Sequence, residues 1–110
     1  MAESATGGPG HESVTDNPGK MRYEIHEDGE VAGFITYGRE RNTIVFLHTE
    51  TDPRFRGGGL GGRLVQATLD DARERGLDVL PYCPFMRDWI AAHPGYADLV
   101  PGPQRAQFGL

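Results

Sequence analysis

Five of the six residues from position 57 to position 62 are glycine, in the segment RGGGLGG that begins at Arg56. Directly after it, residues 63–75 carry apolar side chains at helical spacing, with the polar side chains on the other face. Glycines before a helix let a ligand approach the backbone closely, and the free amides of the first turn favour an anion. The segment therefore predicts a turn that binds a phosphorylated ligand, with a flexible turn without a ligand as the alternative.

Three runs before the glycines alternate apolar and polar residues or are rich in β-branched residues, at residues 21–26, 31–37 and 43–49. Short turns separate them, and the first of these turns ends in Asp28-Gly29, a common hairpin connection. These runs predict an antiparallel meander. The third is apolar at consecutive positions, which predicts a strand covered on both faces.

Glycine and proline residues mark the boundaries of the elements that follow the predicted helix. Gly76 is placed to end the helix in a left-handed conformation, and residues 77–83 read as a strand, at a sheet edge because of Pro81. Pro84 suits the first turn of a second helix that reaches about Ala92. Residues 97–100 are predicted to form a last short strand. Phe46, Phe85 and Trp89 are predicted core residues.

These elements fit one small domain of the α+β class, since a chain of 110 residues has room for a single modest core. Residues 1–19 have almost no large apolar side chain, so they are predicted to be a disordered tail in which His11 is solvated. The domain is predicted over residues 20–101, followed by a loose tail over residues 102–110.

Composition excludes several classes of function. A net charge of −5 argues against nucleic acid as a partner, although Arg54, Arg56 and Arg63 around the glycines suit one small anion. The single cysteine allows no intrachain disulfide and no zinc site of paired thiolates, so no metal is expected. Neither a signal peptide nor a membrane-spanning apolar run is visible, so the expected location is cytoplasmic. The chain is expected to be a monomer or a weak homodimer.

Two phosphate-binding patterns fail on residues that their chemistry requires. Gly57, Gly59 and Gly62 satisfy a dinucleotide-binding pattern, but the following strand ends at Cys83 without the carboxylate that binds ribose. A Walker loop requires Gly-Lys-Ser or Gly-Lys-Thr, where this chain has Gly-Gly-Arg.

A third pattern fits. Residues 56–61 resemble the Arg/Gln-x-x-Gly-x-Gly/Ala signature of the GNAT acetyltransferases, and residues 48–50, 56–64 and 81–96 together resemble the small stand-alone GNAT-like N-acetyltransferases. The resemblance implies a minimal GNAT fold: an antiparallel meander, then glycine turn, helix, strand and helix. It also implies acetyl-CoA as co-substrate, lying in a V-shaped opening between the third and fourth long strands. The implied acetyl-CoA-binding residues are Thr49, Arg56, Gly57, Gly58, Gly59, Leu60, Gly61, Gly62, Arg63, Cys83 and Pro84.

Three residues near the implied opening are candidates for catalysis. Alternation places His48 and Glu50 on the same side of their strand, where either could take a proton from an amine, directly or through water. Cys83 stands at a helix start, where backbone amides favour a reactive thiolate, and the resemblance also implies a catalytic role for it. The alternatives are a solvated carboxylate, a structural histidine and a small buried thiol.

One departure from the GNAT pattern concerns the general acid. Many GNAT enzymes carry a tyrosine on the last helix that protonates the departing thiolate, but residues 89–92 here are Trp-Ile-Ala-Ala. Tyr96 follows that helix and is a substitute or a packing residue. The preferred function is acetyl-CoA-dependent N-acetyl transfer to a small amine or a protein amine. The alternative is a CoA-binding module without turnover.

Overall fold

The computed structural model describes residues 12–55 and 58–110, which build one five-stranded sheet. Its strands lie side by side in chain order. The first four are antiparallel to their neighbours, and the last pairs parallel to the fourth. The strands are β1 (Glu12–Asn17), β2 (Arg22–Glu27), β3 (Glu30–Glu40), β4 (Thr43–Thr51) and β5 (Asp78–Pro81). The predicted meander and the predicted edge position of the last strand are confirmed.

Two helices follow the meander, on either side of β5 in the chain. They are α1 (Leu60–Glu74) and α2 (Pro84–Ala92), and a short α3 (Gly102–Arg105) lies near the C-terminus. Short 3-10 helices cover Pro53–Phe55, Pro94–Leu99 and Ala106–Phe108. Gly76 ends α1 with a φ of +69°, as predicted. The predicted strand over residues 97–100 is wrong, because most of it belongs to the second 3-10 helix.

The helix α1 covers one face of the sheet. Tyr23, Ile35 and Thr49 are register partners across β2, β3 and β4, and the hydroxyl of Tyr23 donates a hydrogen bond to Asp71 of α1. We call the face that carries these three residues the inner face. It holds the large buried core residues Tyr23, Ile25, Ile35 and Phe46, which are at most 2% exposed. We call the opposite face the outer face. It carries Arg22 with its cross-strand partner Thr36, and Glu24 with its cross-strand partner Phe34.

A β-bulge in β4 decides which side chains reach each face. Phe46 pairs with Tyr37 and His48 pairs with Thr36, so Leu47 is an extra residue without a partner on β3. The bulge reverses the alternation: Phe46 and Thr49 both lie on the inner face, whereas His48 lies on the outer face. Leu47 is 50% exposed, so the prediction that this strand is covered on both faces is wrong.

Both predicted tails contain ordered structure. Residues 12–17, placed in a disordered N-terminal tail, form β1, because Val14 packs against the core and Asp16 accepts a hydrogen bond of 2.5 Å from Tyr37. Residues 102–110, predicted to be loose, form helical turns in which Phe108 is buried against Tyr82. His11 and the rest of the predicted N-terminal tail up to residue 11 lie outside the described residues. Within the described ranges, no helix combines the length and apolarity needed to cross a membrane.

Candidate active site

A cavity of about 320 Å³ opens at the N-terminal end of α1 on the inner face. Its wall consists of residues 59–62 at the helix start, Thr49 and Thr51 on β4, and the rings of Phe55 and Phe85. We call it the inner cavity. Residues 59–62 of the predicted glycine segment therefore line a concave site and do not lie on a flat surface.

The described glycines of the segment have three different structural requirements. Gly59 has a φ of +74°, which glycine adopts without strain, and Gly58 faces open space. Gly61 and Gly62 belong to the first turn of α1, so the helix begins three residues before the predicted Arg63. A Cβ on Gly61 would lie 2.8 Å from Cζ of Phe85, and one on Gly62 would lie 3.4 Å from Nε1 of Trp89. These two glycines let α1 and α2 approach each other.

The start of α1 carries backbone amides that no side chain caps. Gly59 is the N-cap, and the first helical hydrogen bond runs from the amide of Arg63 to the carbonyl of Gly59 over 3.1 Å. The amides of residues 60–62 precede that bond and have no partner within the helix. Together with the helix dipole they favour an anion in the inner cavity.

The described arginines near the glycines are paired with carboxylates. Arg63 donates from Nε and Nη2 to the two oxygens of Glu12 over 2.6 and 2.8 Å, and its Nη1 bonds to the carbonyl of Gly58. This pairing lowers the pKa of the Glu12 carboxyl and raises that of Arg63. Arg54 bonds to Asp52 and Glu30. The interpretation that these arginines suit a small anion stays a prediction, and Arg56 and Gly57 lie outside the described residues.

The pairing of β4 with β5 stops at Phe46, because β5 ends at Pro81 and the chain continues into α2. The resemblance implied a V-shaped opening at this place. The amide of Cys83 donates to the carbonyl of Phe46 over 3.0 Å. Cys83 is the N-cap of α2, followed by the exposed Pro84 in the first turn. The Cys83 thiol is 1% exposed and lies 3.0 Å from Oγ1 of Thr49. Thr49 therefore links Cys83 to the inner cavity.

His48 and Glu50 lie together on the outer face, as the predicted alternation requires. Nε2 of His48 is 3.0 Å from Oε2 of Glu50, and the two side chains are 59% and 60% exposed. They are thus separated from Cys83 and the inner cavity by the strand itself. The three catalytic candidates form two groups, one on each face of β4.

Tyr96 is held away from the inner cavity. Its hydroxyl donates to Asp70 over 2.9 Å, and this hydrogen bond raises the pKa of the phenol. Asp70 lies nine residues beyond Gly61 on α1, which corresponds to roughly 13 Å along the helix axis. Tyr96 also packs against Trp89 with 5.0 Å between ring centroids. It is a packing residue in this arrangement.

Sequence reasoning missed two aromatic residues of the site. Phe85 was predicted to be core but is 46% exposed and lines the inner cavity, because Met86 and Ile90 are the buried positions of α2. Phe55 lines the cavity from the first 3-10 helix, in a segment without a periodic pattern. Phe85 could have been recognised from the sequence as a residue outside the core. It follows Pro84 in the first turn of α2 and lies beside the buried positions of that helix. Phe46 and Trp89 do pack in or against the core, as predicted.

Residues 12–55 and 58–110 contain no group of three or more histidine, cysteine or carboxylate side chains placed to hold a metal ion.

Comparison with known proteins agrees with this fold. A solution structure of a GCN5-like candidate N-acetyltransferase from Staphylococcus aureus superposes with a TM-score of 0.62 at 24% identity, over 82% of this chain and 88% of that one. N-acetylglutamate synthase from Neisseria gonorrhoeae, solved with coenzyme A and N-acetyl-glutamate, gives a TM-score of 0.52 at 20% identity, over 80% of this chain and 22% of that one. No curated protein sequence matches the chain.

The family assignment rests on a match over most of the domain. The family model described as GCN5-related N-acetyl-transferase matches residues 22–99, from the second strand to the 3-10 helix after α2. That range contains the inner cavity, the bulged strand and the opening between β4 and β5. The fold and the sequence match thus agree, and the chain belongs to the GCN5-related N-acetyltransferase family.

Proposed function

We propose that the chain transfers the acetyl group of acetyl-CoA to an amine. The observation that carries the proposal is the inner cavity, which extends from the uncapped amides of α1 to Thr49 beside the opening between β4 and β5. Acetyl-CoA carries phosphate at one end and a reactive thioester at the other. Its site must therefore combine a region that binds phosphate with a region that holds the thioester. The coenzyme A bound to the N. gonorrhoeae synthase supports the same class of ligand.

The residues of the inner cavity fit the parts of acetyl-CoA. The amides at residues 59–62 suit the pyrophosphate, since they carry the positive end of the helix dipole. Phe55 and Phe85 offer apolar walls for the pantetheine chain. The edge of β4 beyond Phe46 is not paired to β5, so its backbone is open to polarise the thioester carbonyl.

The transfer moves two protons. The neutral amine attacks the thioester carbonyl, a C–N bond forms, and the C–S bond breaks as the thiolate leaves with the electron pair. The amine proton passes through water to the His48–Glu50 pair on the outer face of β4, and the thiolate takes a proton from a nearby acid. Cys83, beside Thr49 in the opening, is the proposed acid.

A CoA-binding module without turnover is the second candidate. The observation that favours it is the position of Tyr96, whose phenol bonds to Asp70 and does not reach the inner cavity. In that case the buried Cys83 thiol is a structural residue.

The experiment that tests the proposal combines calorimetric titration with mass analysis. The full chain is titrated with acetyl-CoA and with CoA, then incubated with acetyl-CoA and a panel of primary amines. Micromolar binding together with an acetylated amine would support the enzyme. Binding without loss of the acetyl group would favour the module, and the absence of binding would overturn both.

A further inference from the structure

The start of β1 contacts the helix that follows the glycine turn through an ion pair. Glu12, the first residue of β1, accepts two hydrogen bonds from the guanidinium of Arg63, from Nε over 2.6 Å and from Nη2 over 2.8 Å. Glu12 precedes residues 22–99, which match the family model, whereas Arg63 lies on α1 within them. The Glu12–Arg63 pair therefore joins a strand outside the matched range to the proposed ligand site.

The guanidinium of Arg63 lies beside the backbone that is proposed to bind phosphate. Its Nη1 donates a hydrogen bond to the carbonyl of Gly58, and a Cβ on Gly59 would lie 3.4 Å from the same nitrogen. Gly59 is the N-cap of α1 and lines the inner cavity. The positive charge of Arg63 is thus next to the uncapped amides of residues 60–62.

Glu12 occupies the edge of the guanidinium that would also fit a phosphate. Arginine binds two oxygens of a carboxylate or of a phosphate through parallel N–H···O bonds, and one such edge holds one anion at a time. In Arg63 the edge formed by Nε and Nη2 is filled by the two oxygens of Glu12. A phosphate that uses this edge must first displace the carboxylate.

The Glu12–Arg63 pair is accessible enough to be exchanged. The side chain of Arg63 is 47% exposed and that of Glu12 is 26% exposed, so a ligand can reach the guanidinium from solvent. An ion pair near the surface adds little net stability, because the screened attraction is offset by the cost of fixing two long side chains. A diphosphate carries more negative charge than one carboxylate and also binds the amides of α1, so it can compete with Glu12.

A second carboxylate links this exchange to the order of β1. Glu27 is the cross-strand partner of Glu12, and the hydrogen bond between their side chains raises the pKa of the Glu27 carboxyl. The positive charge of Arg63 opposes that rise. Loss of the guanidinium would leave two carboxylates opposite each other on neighbouring strands, which is destabilising. The first residues of β1 are therefore expected to loosen when Arg63 turns to a ligand.

We infer that Glu12 competes with the diphosphate of the ligand for Arg63, so that ligand binding frees the first residues of β1. The inference rests on the proposed function, because it concerns the binding of coenzyme A in the inner cavity. Arg63 exchanges the two oxygens of Glu12 for two oxygens of the diphosphate. Because such coupling is reciprocal, the ion pair weakens ligand binding by the same factor by which the ligand weakens the ion pair.

The rest of β1 has contacts that do not involve Arg63. Asp16 accepts a hydrogen bond of 2.5 Å from the hydroxyl of Tyr37, and Val14 packs against the core. A substitution of Glu12 should therefore leave the domain folded and the second half of β1 in place. The expected movement is confined to residues 12 and 13.

A double-mutant cycle measured by calorimetry tests the competition. We expect Glu12→Gln to bind CoA about fivefold more tightly than the wild type, because Arg63 is then free to bind the ligand. Arg63→Gln should bind CoA more weakly, and the gain from Glu12→Gln should vanish in the Arg63→Gln background. Glu27→Gln is the matched control. It removes the same charge next to Glu12 but leaves the ion pair intact, so CoA affinity should change by less than about twofold.

NMR of the isotopically labelled full chain gives a second, direct measurement. The Nε–H signal of Arg63 and the amides of residues 12 and 13 are followed while CoA or dephospho-CoA is added. Dephospho-CoA keeps the diphosphate and lacks the phosphate on the ribose. We expect both ligands to shift the Arg63 signal and these amides in the wild type, and residues 15–17 to stay unchanged. Both ligands should also gain affinity in Glu12→Gln.

The outcomes separate this inference from the proposed function. CoA binding that is unchanged or weaker in Glu12→Gln, an equal gain in Glu27→Gln, or a gain that persists without Arg63 would overturn the competition alone. A gain with CoA but not with dephospho-CoA would overturn the diphosphate as the competing group. No binding of CoA to any of the variants or to the wild type would overturn the proposed function and this inference together.

Discussion

The sulfur of Cys83 lies 3.0 Å from the hydroxyl oxygen of Thr49, although the two residues are 34 positions apart in the chain. This contact spans the opening between β4 and the start of α2, and Thr49 is also part of the inner cavity wall. The contact therefore connects a buried thiol to the site where the thioester is proposed to bind.

If Cys83 protonates the departing thiolate, its removal should affect turnover and not binding. We expect Cys83→Ala and Cys83→Ser to lower kcat by about 10²-fold or more, with acetyl-CoA affinity nearly intact. Cys83→Ser is the control for structure, because its hydroxyl can keep the hydrogen bond to Thr49. An unaltered rate in both variants would make the thiol structural, and a loss of affinity would indicate a packing role.

Gly61 and Phe85 should behave as a coupled pair. In Gly61→Ala the new Cβ would lie 2.8 Å from Cζ of Phe85, so the ring must move along the wall of the inner cavity. We expect acetyl-CoA affinity to fall about fivefold, near 1 kcal/mol, while stability is kept or rises because alanine favours helix.

The double variant Gly61→Ala/Phe85→Leu should recover most of that loss, since leucine removes the clashing atom. Gly58→Ala is the matched control, because Gly58 faces open space. Calorimetric affinities and thermal unfolding of the wild type, Gly61→Ala, Phe85→Leu and the double variant complete the cycle. Additive effects of the two substitutions would contradict the coupling.

His48 and Glu50 should act as one proton-accepting unit. We expect His48→Gln and Glu50→Gln each to lower kcat by about 10²-fold, and the double variant to be no slower than the slower single variant. The measurement is kcat and the KM for acetyl-CoA with a saturating amine. His26→Gln is the control, since His26 lies beside Glu24 on β2 and not on β4. A normal rate in both single variants would refute the role.

We expect the Glu24 carboxylate to make the free energy of unfolding decrease at acidic pH. Burial alone would raise the pKa of its carboxyl, but hydrogen bonds from Arg22 at 2.7 Å and Asn17 at 3.2 Å outweigh burial and lower it. A lowered folded-state pKa gives stability that is present above the ordinary glutamate value of 4.5 and is lost as pH falls through the folded value.

Urea unfolding at pH 7 and at pH 3 checks this expectation. Glu24→Gln should cost on the order of 1 kcal/mol at pH 7 and less at pH 3, because the wild-type carboxyl is then becoming neutral. Glu40→Gln, at an exposed strand end, should show no such difference. An equal cost of Glu24→Gln at both pH values would contradict the assignment.

The sequence predicted the strands of the meander and the two main helices because their patterns are local. Gly76 and Pro84 marked helix ends that the structure keeps, and the alternation from His48 to Glu50 placed their side chains together. Pairings between distant residues left no such signal. The strand β1 is held by Tyr37 and by Arg63, and neither contact can be read from the polar residues 12–17 alone.

The same limit applies to the candidate site. Glycine spacing predicted a ligand turn, yet Gly61 is packed against Phe85, which no periodic pattern of α1 reveals. The bulge at Leu47 is also invisible, since its sequence continues an apolar run. The division of the catalytic candidates between two faces therefore required the structure.

Because of the bulge at Leu47, the face on which each proposed functional side chain lies depends on the number of residues in β4 as well as on their identity. A β4 shortened by Leu47 would still contain His48, Thr49 and Glu50 in the same order, but each would point to the opposite face. The thiol of Cys83 would then face a histidine or a carboxylate in place of Thr49. A single-residue deletion would thus exchange the donor and acceptor sides of the strand without altering any functional side chain.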